Sequence, residues 1–289
     1  MQNISERREK SKDIALVLSS GGARGLVHIG AIEELESQGY RISSVAGCSM
    51  GALVGGIYAA GKLTELRELM KSVDKWKLLS LADLSLSLNH IVKGDKVVET
   101  LRELIADVKI EDWPIPYCAI STDWERGEEV VFREGSLLDA IRASISLPAL
   151  FNPRQSNGQI LIDGGVMNPL PLDRVARKEG DLLVAVDVSG HDYWGQRQMQ
   201  MRRGNNRKGL FRRPKDNGTG VNYVSLLARA SSLMIRRNSL LMEKICPPDI
   251  LIDIQLDRYD GLDYDKSEKL VAIGHKKTAK VLQEKKCEE

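Results

Sequence analysis

Cysteine is scarce and shows no pairing pattern. Cys48, Cys118, Cys246 and Cys287 lie far apart in 289 residues, without a Cys-x-x-Cys spacing or the density of a disulfide framework, which excludes stapled secreted scaffolds and zinc ribbons. A reducing, cytoplasmic setting is expected. Net charge is nearly absent: 42 Lys and Arg against 40 Asp and Glu leave +2, too little for the molecule to act as a polycation, so no nucleic-acid partner is expected. The first thirteen residues are dense in charge and carry no apolar segment before a small-residue cleavage site, so they read as a charged tail and not as a secretory signal. Long apolar runs are missing too. The one long uncharged stretch, 42–61, contains five glycines and three serines, which break its hydrophobicity too often for a membrane span. With 42% hydrophobic and 28% charged residues, what is left is an ordinary globular chain.

From residue 14 onward the pattern suggests one domain reaching residue 289. Residues 14–18 form a short apolar run, 21–25 a glycine turn, and Val27, Ile29, Ile32 and Leu35 then recur at roughly helical spacing. Residues 42–46 repeat the scheme and lead through Gly47-Cys48-Ser49-Met50-Gly51 into a helix of small residues, so two strand-turn-helix units open an α/β sheet. Residues 62–112 read as mostly helical. Strands are expected at 117–122, 129–132 and 159–162, the last following an Asn157-Gly158 hairpin turn, which makes the sheet mixed. Ser136 and Asp139 resemble an N-terminal cap for a helix to about Ala143. The apolar run 182–188 suits a strand buried on both faces. A helix over 221–244, a strand over 250–254 and a helix near 267–285 complete the chain. Between them, Arg197 to Lys215 holds eight basic and no acidic residues, a composition that fits a basic insertion at about 190–220. A solvated loop without a partner and a loop touching anionic membrane both suit it.

Gly47-x-Ser49-x-Gly51, set between a strand and a small-residue helix, has the context of a nucleophile elbow. A sharp strand-to-helix turn strains the serine backbone, glycines on either side relieve the crowding, and the helix N-terminus favours developing negative charge. A second glycine loop, Ser20-Gly21-Gly22-Ala23-Arg24-Gly25, could bring backbone amides beside that serine as an oxyanion hole. It lacks the Gly-Lys-Ser/Thr ending of a phosphate loop, and no acidic residue closes the second strand as a ribose ligand would. The serine needs a base, and histidine is in short supply: His28, His90, His191 and His275. Only the last two fall late enough for an ordinary hydrolase triad, and both suit a surface or partly packed position better. Asp163-Gly164-Gly165, ending a strand with two glycines that admit close backbone approach, is the better candidate base. No His, Asp and Glu cluster at ligand spacing calls for a metal, and no cofactor is expected.

Taken in order, the glycine loop, Gly47-x-Ser49-x-Gly51 and Asp163-Gly164-Gly165 resemble the patatin-like phospholipase family, and its small single-domain bacterial members most closely. The resemblance extends through Arg142-Ala143-Ser144-Ile145-Ser146-Leu147-Pro148, Phe151, Pro153 and Asn168-Pro169, spanning about residues 14–188. It implies a three-layer α/β/α fold with a mixed, mostly parallel sheet. It also implies a Ser–Asp dyad of Ser49 as nucleophile and Asp163 as base, with Gly21, Gly22 and Ala23 as the oxyanion region. Arg24 matches the loop's basic position, while Gly25, Gly47, Gly51, Gly164 and Gly165 support the geometry. Ser20 departs from the family pattern, which usually opens with glycine. The implied activity is hydrolysis of lipid acyl esters, phospholipid or lysophospholipid. An acyltransferase using the same dyad, and a non-catalytic membrane adaptor built on the basic loop, are the alternatives.

Overall fold

The computed structural model of the chain describes residues 12–72, 95–105, 108–148, 151–189, 223–256, 259, 261 and 263–288. Most of the N-terminal tail, the basic run Arg197 to Lys215, His90 and His191 lie outside the described residues.

Strands β1 (Asp13–Leu18), β2 (Arg41–Cys48), β3 (Tyr117–Asp123), β4 (Glu128–Phe132), β5 (Arg154–Ser156), β6 (Gln159–Asp163), β7 (Leu182–Asp187) and β8 (Ile250–Asp253) form one sheet ordered β5-β6-β3-β2-β1-β7-β8, with β4 paired to β3. The chain from β3 through β2, β1 and β7 to β8 is parallel throughout; β4 and β6 run antiparallel to β3, and β5 antiparallel to β6. The expected mixed, mostly parallel sheet is therefore what folds. The hairpin joining β5 and β6 turns through Asn157 (φ 50°) and Gly158 (φ 75°), the left-handed pair that a two-residue hairpin needs.

Helices α1 (Val27–Ser37), α2 (Met50–Ala59), α3 (Leu63–Lys71), α4 (Asp95–Leu104), α5 (Leu137–Ser144), α6 (Tyr223–Ile245) and α7 (Ser267–Glu288) flank the sheet. Alternation along β1 divides the two faces. Ile14, Leu16 and Leu18 enter a large core shared with α1, α2, α5 and α7. Ala15 and Val17 enter a smaller one with Ala46, Ala185, Leu170 and Leu172, against which Met242 of α6 packs. The small side chains on that second face let a non-helical segment lie close to the sheet. Ser136 caps α5, its hydroxyl accepting the Asp139 N–H at 3.0 Å.

One topological detail builds the site. β4 occupies one edge of β3, and the other edge is shared. β2 pairs along it as far as Cys48↔Ile120, and β6 takes over at Asp163↔Ser121. The residue that ends β6 therefore arrives just where β2 gives out and the chain turns at Ser49.

Candidate active site

Ser49 follows β2 and precedes α2 with φ 55° and ψ −120°, and apart from Asn157 it is the only non-glycine with positive φ among the described residues. Such a conformation costs of the order of 1–3 kcal/mol and persists only where its surroundings enforce it. The surroundings are tight: a Cβ on Gly47 would overlap the Gly51 carbonyl, and one on Gly51 would overlap the carbonyl of Leu18. The strained backbone aims the Ser49 hydroxyl at Asp163, to whose Oδ2 it donates at 2.6 Å.

Asp163 is fully buried. Its other oxygen, Oδ1, accepts the Gly165 N–H at 2.7 Å and the Cys48 thiol at 3.9 Å. Its backbone is fixed as well, the N–H donating to Ser146 O at 2.9 Å and the carbonyl accepting the Thr122 hydroxyl at 3.2 Å. Burial raises the pKa of the carboxyl to about 6, against the hydrogen bonds from Ser49, Gly165 and Cys48 that favour its charged form. The result is a carboxylate more basic than an exposed one, fixed in hydrogen bond to a strained serine.

The glycine loop runs alongside. A Cβ on Gly25 would collide with the Met50 side chain, so the loop packs against the residue that follows Ser49. Arg24 folds back, Nε donating to Gly21 O at 3.3 Å. In a planar trans peptide this directs the Gly22 N–H the opposite way from that carbonyl. The Ala23 N–H donates to Gly261 O at 2.8 Å, an engagement that sequence could not foresee because Gly261 lies far along the chain. Gly164 and Gly165 open the short turn after β6 that brings an amide onto Asp163.

The two described histidines, His28 and His275, stand elsewhere. His28 is buried, its Nε2 2.9 Å from Ser19 O, and desolvation lowers its pKa to about 4, so it is a neutral core residue. His275 lies between Glu33 and Glu34 at 2.7 and 3.3 Å, bridging α7 to α1. Among the described residues, no three His, Cys, Asp or Glu side chains converge as metal ligands would. Two contacts could not be read from residue types alone. The Ser144 hydroxyl, at the end of α5, accepts the Ser49 N–H at 2.8 Å, and the Cys48 thiol rests on Asp163. The run Arg142 to Pro148 was the signal for the first. Arg142, itself buried, donates to the Ser146 hydroxyl at 2.6 Å and to Asn152 O at 3.1 Å, which stiffens the corner that presents Ser144.

A sheet of this order with flanking helices and a strained strand-to-helix serine defines an α/β protein with a nucleophile-elbow geometry. The family model described as patatin-like phospholipase matches residues 16–176, and the chain belongs to that family. An NTE family protein of Mycobacterium tuberculosis is 43% identical over 186 residues, 64% of this chain and 52% of the relative. Neuropathy target esterase sws of Drosophila melanogaster is 34% identical over 188 residues, 62% of this chain and 13% of the relative. Lysophospholipase NTE1 of Saccharomyces cerevisiae is 28% identical over 274 residues, 90% of this chain and 16% of the relative. The chain thus spans about half the length of the mycobacterial relative and far less of the other two. Among solved structures, VipD from Legionella pneumophila matches with a TM-score of 0.56 at 15% identity, covering 95% of this chain and 67% of that one, a likeness of fold.

Proposed function

We propose that the chain is a serine acyl hydrolase that cleaves lipid acyl esters, phospholipid or lysophospholipid, through a Ser49–Asp163 dyad. The observation that carries this reading is the 2.6 Å hydrogen bond from a strained, elbow-held Ser49 hydroxyl to a buried Asp163 carboxylate. Membership of the patatin-like phospholipase family and the likeness to a relative named lysophospholipase support the substrate class.

In the proposed reaction Asp163 takes the Ser49 proton as Oγ forms a bond to the ester carbonyl carbon, whose π electrons move onto oxygen. The Gly21 and Gly22 amides are assigned to that oxyanion, while Ala23 braces the loop through Gly261. Collapse breaks the bond to the leaving alkoxide, which takes the proton from Asp163. Water then attacks the acyl-enzyme, giving its proton to Asp163, and the second collapse releases fatty acid and restores the Ser49 hydroxyl. A pKa near 6 suits a general base of this kind, because the carboxyl is ionised at neutral pH yet basic enough to hold a proton transiently.

Among the described residues no helix is long and apolar enough to cross a membrane. Contact with lipid through Arg197 to Lys215 belongs to the same proposal, as does a cytoplasmic location at the membrane periphery. The test is fatty-acid release from lysophosphatidylcholine micelles. The intact chain should release it, and Ser49→Ala and Asp163→Asn should each lower turnover by about 10²-fold or more while keeping the fold. Undiminished release by Ser49→Ala would overturn the reading, and acyl groups recovered only on an added alcohol would make the enzyme a transferase.

A further inference from the structure

Helix α6 is apolar on two opposite faces, and only one of them packs against the rest of the described fold. On the inner side, Ile235 Cγ1 lies 3.3 Å from where a Cβ on Gly165 would stand, Asn238 Nδ2 donates to Val166 O at 3.0 Å, and Met242 packs on the smaller core. These contacts lay the middle of α6 over the turn that follows Asp163. On the outer side Leu226, Leu233, Met234, Leu241 and Ile245 are 38–72% exposed. At 3.6 residues per turn they fall within about 120° of the helix circumference, so they form one stripe and not scattered apolar positions. Met167, 41% exposed, follows directly on the residue that Asn238 holds and extends this apolar surface toward the catalytic turn. Apolar side chains gathered on one exposed face mark an interaction surface.

Charge selects the partner. Over its 23 residues α6 carries Arg229, Arg236, Arg237 and Lys244 against Glu243 alone. Arg236 turns inward to Asp187 at 3.4 Å, and Glu243 falls on the same side of the helix, where burial and the negative charge of Asp187 raise its pKa to about 7. Arg237 and Lys244 are exposed and, at helical spacing, rise from the same arc as the apolar stripe. Apolar side chains set among cations, with the one carboxylate turned away, are complementary to an anionic lipid surface, where alkyl groups enter the headgroup boundary and basic groups meet phosphate. We infer that the outer face of α6 is a lipid-docking surface that seats the molecule on anionic membrane with its catalytic turn facing the bilayer. The inference rests on the lipid-ester reading for its purpose and on the helix alone for its geometry. It is independent of the basic run Arg197 to Lys215, since the stripe and its cations belong to α6.

Sedimentation with phosphatidylcholine vesicles, with and without phosphatidylserine, tests it. The full chain carries Ser49→Ala throughout, so that binding is read without turnover and a failed hydrolase assignment cannot masquerade as failed docking. The parent should sediment with anionic vesicles and far less with neutral ones. L233S/L241S/I245S should lose about tenfold or more in vesicle affinity, and R237Q/K244Q should weaken binding mainly at low salt. All substituted side chains are exposed, so circular dichroism and the melting temperature should match the parent. With Ser49 restored, the triple variant should keep hydrolysis of a short-chain soluble ester and lose hydrolysis of vesicle-borne substrate. Equal vesicle binding by parent and triple variant would overturn the inference. So would a parent that ignores lipid but forms a dimer, seen by light scattering, that the triple variant cannot form.

Discussion

Asp163 sits in surroundings that disfavour its charge, and in the proposed reaction that conflict is what suits it to act as the base. Desolvation raises its pKa to about 6, while the Ser49 hydroxyl, the Gly165 amide and the Cys48 thiol pull the other way. A base must be ionised to accept a proton, so kcat/KM on a soluble ester should rise with pH along a limb of apparent pKa about 6 and be lost below it. Cys48 makes this testable one atom at a time. Cys48→Ala removes a hydrogen bond to the charged form, so the carboxyl becomes harder to ionise and the limb should move to higher pH by about 0.5 to 1. Cys48→Ser keeps a donor and should hold the limb near its original place, whereas a merely steric role for Cys48 would leave the limb unmoved in both. Much at this scale was legible in the sequence. Gly47-x-Ser49-x-Gly51 and Asp163-Gly164-Gly165 announce a strained turn and a strand-end carboxylate by residue type alone. The Ser144 bond to the Ser49 amide and the capture of the Ala23 amide by Gly261 were not legible, because each joins segments about a hundred residues or more apart whose meeting only the fold decides.

Among the elements, the β2–β3–β6 junction brings Ser49 and Asp163 together, and the packing of α1 and α7 holds the far side of the large core in place. A Cβ on Gly30 would overlap the Val271 carbonyl and one on Gly274 the Val27 carbonyl, so the two helices cross backbone to backbone. His275 stands one residue on and reaches the carboxylates of Glu33 and Glu34. Gly274→Val should therefore destabilise the chain by about 2 to 4 kcal/mol, read as a lower urea midpoint. His275→Ala, which removes a part-exposed polar contact, should cost less than about 1 kcal/mol and leave turnover intact. A collapse of turnover in His275→Ala would mean a histidine participates. Periodicity located these elements within a few residues, as with the expected 267–285 for α7 (Ser267–Glu288) and the Asn157-Gly158 turn between β5 and β6. It did not disclose the glycine crossing, since nothing local distinguishes Gly30 or Gly274 from a glycine on an open helix face.

At the scale of the molecule, the asymmetry of the sheet's two faces among the described residues is the organising fact. One face carries the large core of α1, α2, α5 and α7. The other, thinner face is covered by the Leu170 to Val175 segment and by α6, which reaches across to the turn after Asp163 and leaves its outer stripe exposed. The α/β class and the mixed sheet were readable from the order of apolar runs, helices and turns, because alternation and helical spacing report burial, while the layering came from the family resemblance. Which layer is thin was not, because that depends on where non-helical chain settles. The proposed function turns on one chemical event, the formation of a bond between Ser49 Oγ and an acyl or phosphonyl centre. Intact-mass analysis after treatment with a fluorophosphonate, followed by peptide mapping, measures that event directly. The expected result is a single adduct on Ser49, none in Ser49→Ala, and labelling slowed by about 10²-fold or more in Asp163→Asn. An adduct on another residue, or a folded chain that stays unlabelled at Ser49, would contradict the dyad.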